Sequence, residues 1–209
     1  MIRVHHLNAS RSHRILWLLE ELGLPYEIVA YQRDKKTMLA PESLRRVHPL
    51  GKSPVLEVDG RILAESCAII EIMADRHGQG TLAPERGTPA WERYLYWLHY
   101  AEGSAMSPLL LKLVLTKMGP LGWPALGYVN GQLKLHSRYM ESELEKHPYF
   151  GGETFTAADI AMSFPAEAFV ARGPKDLSQP NLKAFLERIH ARPAYQRATA
   201  RGGKLEILG

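Results

Sequence analysis

Three short stretches of this chain carry side chains suited to holding a small, multiply charged molecule. The first is Asn8-Ala9-Ser10-Arg11-Ser12, two hydroxyls and a cation just ahead of an apolar helical repeat. At a helix start the free N–H groups and the macrodipole favour an anion. The second is Pro49-Leu50-Gly51-Lys52-Ser53-Pro54, a link with one cation that ends at a proline opening a strand. A cis proline there turns the Ser53 backbone toward a ligand. The third is Glu65-Ser66, at a strand-to-helix junction, where Ser66 is a natural N-cap and the pair can also hold an ammonium and a carboxylate. Each stretch has a plainer reading: serines that only cap helices, and a link that is only a loop.

Other chemistries fit poorly. Gly51-Lys52-Ser53 resembles the end of a phosphate-binding loop, but such a loop needs glycine where Arg46 stands and a helix where Pro54 stands. There is no GxGxxG, HExxH or GxSxG, and the nine histidines show no metal-ligand spacing. Cys67 is the single cysteine, which excludes an internal disulfide and any CxxC pair. Lys+Arg of 26 against Asp+Glu of 22 gives a charge of +4 spread along the chain, so neither nucleic acid nor membrane is expected as a partner. The apolar runs Leu109–Leu111 and Leu113–Leu115 are broken by Lys112 and Lys117, too short to span a bilayer. Met1-Ile2-Arg3-Val4 shows no leader pattern. With the lone cysteine, this points to a cytoplasmic protein.

The elements that must position these residues follow from periodicity. Ile2 to Leu7 reads as a strand, and Ile15, Leu18, Leu19 and Leu22 then repeat at helical spacing. Ser12 is the expected N-cap, with Gly23 and Pro25 as stops. Tyr26 to Tyr31 reads as a second strand, parallel to the first because a helix separates them. Asp59-Gly60 between two apolar runs marks a hairpin, and a helix from Ser66 to His77 follows with Ile69, Ile72 and Met73 inward. Residues 1–79 are thus expected to form a thioredoxin-like α/β domain, 80–87 a linker, and 88–209 an all-α domain. In the latter a long helix from Trp91 to Ala105 should be interrupted by Pro108, another carries Leu126 to Leu144, Thr156 to Asp159 opens a third, and Pro180 opens a fourth.

On these stretches the chain resembles the cytosolic glutathione transferase superfamily, in its bacterial and fungal members. The segment from Leu7 to Glu27 is similar to the family's opening. His48-Pro49-Leu50-Gly51-Lys52-Ser53-Pro54-Val55-Leu56 is similar to its N-P-x-G-K-x-P-x-L stretch, with His48 for asparagine. Glu65-Ser66-Cys67-Ala68-Ile69 matches E-S-x-A-I, and Phe155 to Ala161 matches the helix-opening motif of the C-terminal half.

The resemblance implies a transferase that uses glutathione as co-substrate, without metal, and adds its thiolate to a hydrophobic electrophile in detoxification. Lys52 is expected on the glycine carboxylate, Ser53 on the cysteinyl backbone, and Glu65 and Ser66 on the γ-glutamyl ammonium and carboxylate. Ser10 is the expected partner of sulfur, with Arg11 second and Asn8 and Ser12 within reach. The electrophile is expected between the halves, near Tyr100, Ser104, Met106 and Leu110, and the protein is expected to be a homodimer. The absence of cysteine from the opening turn argues against the thiol-using members. Glutathione-dependent isomerisation or peroxide reduction, and a non-catalytic interaction module, are the competing readings.

Overall fold

The computed structural model describes residues 1–78 and 80–203. The expected domain ranges also reach residue 79 and residues 204–209, which lie outside the described residues. Among the described residues the chain divides into two units, one of residues 1–83 joined by residues 190–203, the other of Pro84–Ile189. The first unit holds β1 (Ile2–Leu7), α1 (Ser12–Glu21), β2 (Glu27–Tyr31), β3 (Val55–Val58), β4 (Arg61–Ala64), α2 (Ser66–His77) and the last helix, α8 (Pro193–Gly202). The second holds α3 (Pro89–Tyr100), α4 (Met106–Lys117), α5 (Trp123–Lys146), α6 (Ala157–Arg172) and α7 (Pro180–His190).

The sheet order is β2-β1-β3-β4, with β1 parallel to β2 and the other pairs antiparallel. The β3–β4 hairpin turns on Asp59 and Gly60 with φ of 51° and 70°, the two positive angles a type I′ turn requires. Helix α1 is buried from Ser12 through Leu19. Ser12 is its first residue and not its cap: the preceding Arg11 holds that place, and its side chain makes no capping bond. In α2 the inward residues are Ile69, Ile70 and Met73, while Ile72 is half-buried, because the helix packs on both α1 and β4.

Helix α8, which the sequence reading counts with the helical half, packs on α1. Its apolar face is only Ala194 and Ala198, and polar contacts fix it. Arg192 grips the Glu21 carboxylate through two nitrogens at 2.6 and 2.8 Å, a bidentate pair with fixed geometry. Arg197 and Arg201 reach Glu20 at 2.7 and 3.0 Å. His13 meets the Thr199 hydroxyl at 3.1 Å, and Tyr195 packs edge-on against Trp17 at 5.1 Å.

Burial, and then the neighbouring imidazoles of His6 and His190, hold the His13 pKa down at about 4. An unfolded chain, with histidine near 6.5, takes up this proton first, so lowering the pH from ~6.5 to ~4 favours unfolding. The difference of ~2.5 pH units corresponds to about 3 kcal/mol at ~1.36 kcal/mol each. Urea unfolding should therefore show stability falling through this window, and His13→Gln should flatten the slope. An equally steep slope in the variant would exclude His13 as its source.

In the helical unit Trp97 stacks on Tyr139 at 5.4 Å and meets Phe150 at 4.6 Å, and Phe150 meets Phe185 at 4.9 Å. The expected break in the first long helix is a wide, π-type turn over Ala101–Ala105, ahead of Pro108. Proline has no N–H for the carbonyl four residues back, which loosens the ladder there. Nearby, the Ser107 hydroxyl donates to the Gly103 carbonyl at 3.0 Å.

Candidate active site

One transverse row of the sheet explains how the three stretches meet. His5 of β1 lies opposite Val55 of β3, and Val55 lies opposite Ala64 of β4. From that row β1 runs on into the turn at residues 8–12, the loop at 51–54 arrives at β3, and β4 leaves into Glu65 and Ser66. All three therefore emerge at the same end of the sheet. The Ser53 hydroxyl ties the middle loop to β1 by donating to the His5 carbonyl at 2.8 Å, and the Ser53–Pro54 peptide is cis.

The turn is held from two sides. Ala9 has φ of 47°. Arg33 wraps it, its Nε donating to the Asn8 carbonyl at 3.2 Å, Nη2 to the Ala9 carbonyl at 3.4 Å and Nη1 to the Met38 carbonyl at 2.9 Å. The Arg33 N–H donates in turn to Asn8 Oδ1 at 2.8 Å. Burial, and then the charge of Arg11, lower the Arg33 pKa, so two guanidinium groups flank the turn. On the inner side, the buried Ser10 hydroxyl donates to the Leu7 carbonyl at 2.8 Å, and Ser10 Oγ accepts from Ser12 N–H at 3.2 Å. In this arrangement the Ser10 proton is engaged inside the fold. Arg11 is half-buried at the cap position of α1.

At the third stretch Glu65, not Ser66, occupies the cap position, and Ser66 is the first residue of α2. Glu65 is exposed with φ of 67° and ψ of 113°, a conformation that costs a non-glycine residue about 1–3 kcal/mol. Ser66 is buried, and its hydroxyl accepts from the Arg14 guanidinium at 3.4 Å. Arg14 itself is 1% exposed. A buried guanidinium behind a helix N-terminus makes the Ser66 position attractive to a carboxylate. Lys52 is exposed on the middle loop. Together these loops present cations at Lys52 and Arg11, an anion at Glu65, and a helix N-terminus at Ser66.

The sequence reading gives Arg14 no role and takes Arg33, with Lys35 and Lys36, as a short solvated basic cluster. Arg14 had a signal: it stands three and four residues before Trp17 and Leu18, on the apolar face of α1, where a charge must be paired. Arg33 looks like part of a solvated basic cluster, and only the folded loop shows otherwise.

In the helical unit Tyr100 and Ser104 come together on a cavity of about 770 Å³ between α3 and α5, with Tyr96, His136 and Tyr139. The Tyr100 hydroxyl lies 2.5 Å from His136 Nδ1. Met106 and Leu110 are not on this wall; Leu110 is 61% exposed on α4.

Comparison with known proteins points to one family. Residues 10–76 match the model for the glutathione S-transferase N-terminal domain, and residues 126–193 match that for the C-terminal domain. Glutathione S-transferase 3 of Schizosaccharomyces pombe is 35% identical over 207 residues, covering 93% of this chain and 85% of its own. The crystal structure of a glutathione S-transferase from Actinobacillus pleuropneumoniae is 41% identical with a TM-score of 0.91, covering 99% of this chain and 95% of that one. A sphingomonad glutathione S-transferase solved in complex with glutathione is 25% identical with a TM-score of 0.76, covering 96% and 98%.

Proposed function

The chain belongs to the cytosolic glutathione transferase superfamily and is a glutathione transferase, and from that premise we propose how it handles its substrates. Glutathione lies across the three loops at the sheet end. Lys52 pairs with its glycine carboxylate and the Ser53 backbone with its cysteinyl part. Glu65 takes the γ-amino group, and Ser66, with Arg14 behind it, takes the neighbouring carboxylate. The sulfur then faces the turn of residues 8–12. The observation that supports this most is the row His5–Val55–Ala64, since it makes three distant loops neighbours.

The chemical task is to ionise the thiol. A free thiol has a pKa of about 8.5, so only a few per cent is thiolate at neutral pH. Lowering it by ~2 units takes about 2.7 kcal/mol. A hydrogen bond to a charged group contributes roughly 1.5–3 kcal/mol, and a helix N-terminus about 0.3–1. One donor at the start of α1 is nearly enough. Between the two candidates, Arg11 carries the larger share, because the Ser10 proton is held inside the fold between Ser12 Oγ and the Leu7 carbonyl. The thiol proton leaves to solvent, and the thiolate pair forms a carbon–sulfur bond. The electrophile expels its leaving group or, in an addition, takes a proton at the adjacent atom. The helical unit holds the electrophile in the cavity beside Tyr100 and Ser104. The protein works as a cytoplasmic homodimer.

Calorimetric titration with glutathione should show binding to one site per chain; a non-catalytic scaffold would give no heat. Arg11→Gln should raise the pH at which the rate is half-maximal by ~1 unit, roughly tenfold in rate on the acid side. Ser10→Ala should move it less. The reverse order in the two pH–rate profiles would hand the sulfur contact to Ser10.

A further inference from the structure

A chain of hydrogen bonds enters the sulfur-facing turn from the far end of the sequence. The Gly202 carbonyl, in the last turn of α8 where carbonyls lack helical partners, lies 2.9 Å from His6 Nε2. A carbonyl only accepts, so Nε2 carries the proton. Burial lowers the His6 pKa and keeps the ring neutral, which leaves Nδ1 as an acceptor. The Ser12 hydroxyl, 2.8 Å away, donates to it. With its proton committed, Ser12 Oγ accepts from Leu7 N–H at 3.2 Å and from the Ser10 hydroxyl 2.7 Å away. Ser10 Oγ in turn reaches the Leu7 carbonyl at 2.8 Å. The ring of His6 thereby sets the direction of both serines.

We infer that His6 is a positioning residue for the thiol chemistry: by bridging the Gly202 carbonyl to Ser12, it locks the turn that presents Arg11 and Ser10 to sulfur. A serine, a histidine and an acceptor in line also suggest a nucleophile relay. Ser12 is 0% exposed, out of reach of any substrate, so the chain positions and does not react. A second feature points the same way. A Cβ added at Gly202 would run into Leu16 and sit 3.5 Å from the His6 ring, so this helix end is built to close on the histidine. The inference rests on the reading that the turn faces glutathione sulfur.

Three variants separate its parts. His6→Gln can still offer an N–H toward Gly202 but leaves Ser12 without its acceptor. His6→Asn keeps an oxygen near the Nδ1 position and gives up Gly202. Gly202→Ala pushes the helix end from the ring and leaves His6 in place. The readouts are the ultraviolet titration of bound glutathione thiolate, kcat, and the glutathione dissociation constant. His6→Gln should raise the bound-thiol pKa by ~1 unit and lower kcat roughly fivefold at pH 6.5, with affinity changed less than about threefold, since Lys52 and Glu65 are untouched. His6→Asn and Gly202→Ala should shift the same quantities in the same direction by less. An unchanged thiol pKa and kcat in His6→Gln overturns the inference, as does a loss confined to thermal stability. Should His6→Gln not fold, an unchanged thiol pKa in Gly202→Ala overturns it equally. No glutathione binding by the unaltered protein overturns instead the reading on which it stands.

Discussion

Glu65→Ala should raise the dissociation constant for glutathione by roughly 10- to 100-fold, corresponding to about 1.4–2.7 kcal/mol at ~1.4 kcal/mol per decade. The carboxylate is exposed before binding, and an exposed ion pair alone contributes only about 0–1 kcal/mol. The larger figure follows because the ligand ammonium must give up water against it, and a charged hydrogen bond contributes about 1.5–3 kcal/mol. The backbone sharpens the test. At φ of 67° and ψ of 113° the glutamate stores strain that glycine would not. Glu65→Gly should therefore bind glutathione as poorly as Glu65→Ala while unfolding at a higher denaturant concentration. Loss of stability in both variants, with affinity intact, would make Glu65 a structural residue.

Asp159→Ala should destabilise the fold by about 2–4 kcal/mol, or roughly 4–16 °C in thermal midpoint at ~2–4 °C per kcal/mol for a chain of this size. Asp159 is fully buried and accepts four bonds. Phe150 N–H donates at 2.7 Å, Gly151 N–H at 3.4 Å, Thr156 N–H at 2.8 Å and the Thr156 hydroxyl at 3.1 Å. Removing the carboxylate strands buried donors at about 1–3 kcal/mol each. Part of that loss is offset. Burial pushes the Asp159 pKa up to about 6 against the pull of its donors, so the ionised form is already held at a cost. The folded carboxylate keeps its proton to higher pH than the unfolded one near 3.9. Its contribution is therefore fully present below ~4 and declines as the pH rises to ~6. The gap between the native protein and Asp159→Ala should narrow across that window in denaturant titrations. A constant gap would mean that Asp159 titrates normally.

The fold was legible where the signal is local. The repeat Ile15, Leu18, Leu19, Leu22 marks α1, Asp59-Gly60 marks the hairpin, and Thr156 with Asp159 marks the start of α6, because each depends on neighbours within a few residues. Helix α8 was not legible as an element of the first unit. Its inward residues are alanines, and it is fixed by Arg192, Arg197 and Arg201 on glutamates 171 to 181 positions earlier. No periodicity reports a partner so distant.

The candidate site divides in the same way. Lys52, Ser53, Glu65 and Ser66 stand in recognisable strings, and strand register alone brings their loops to one sheet end. What sequence could not convey is where a hydroxyl proton goes. Ser10 is placed at the turn as expected, but its proton turns inward, between the Leu7 carbonyl and Ser12 Oγ, because Ser12 commits its own proton to His6. Capping was misassigned at both helix starts for a related reason: Arg11 and Glu65 hold the cap positions, while Ser12 and Ser66 turn inward to His6 and Arg14.

The claim on which the mechanism depends is that this sheet end converts bound glutathione to its thiolate near neutral pH. Thiolate absorbs in the ultraviolet near 240 nm and the thiol does not, so difference absorbance of the saturated complex against pH reads the ionisation directly. Half-ionisation at about pH 6.5, ~2 units below the free thiol, is the expected result. A saturated complex whose sulfur still titrates near ~8.5 would contradict the account, however tightly the tripeptide is held.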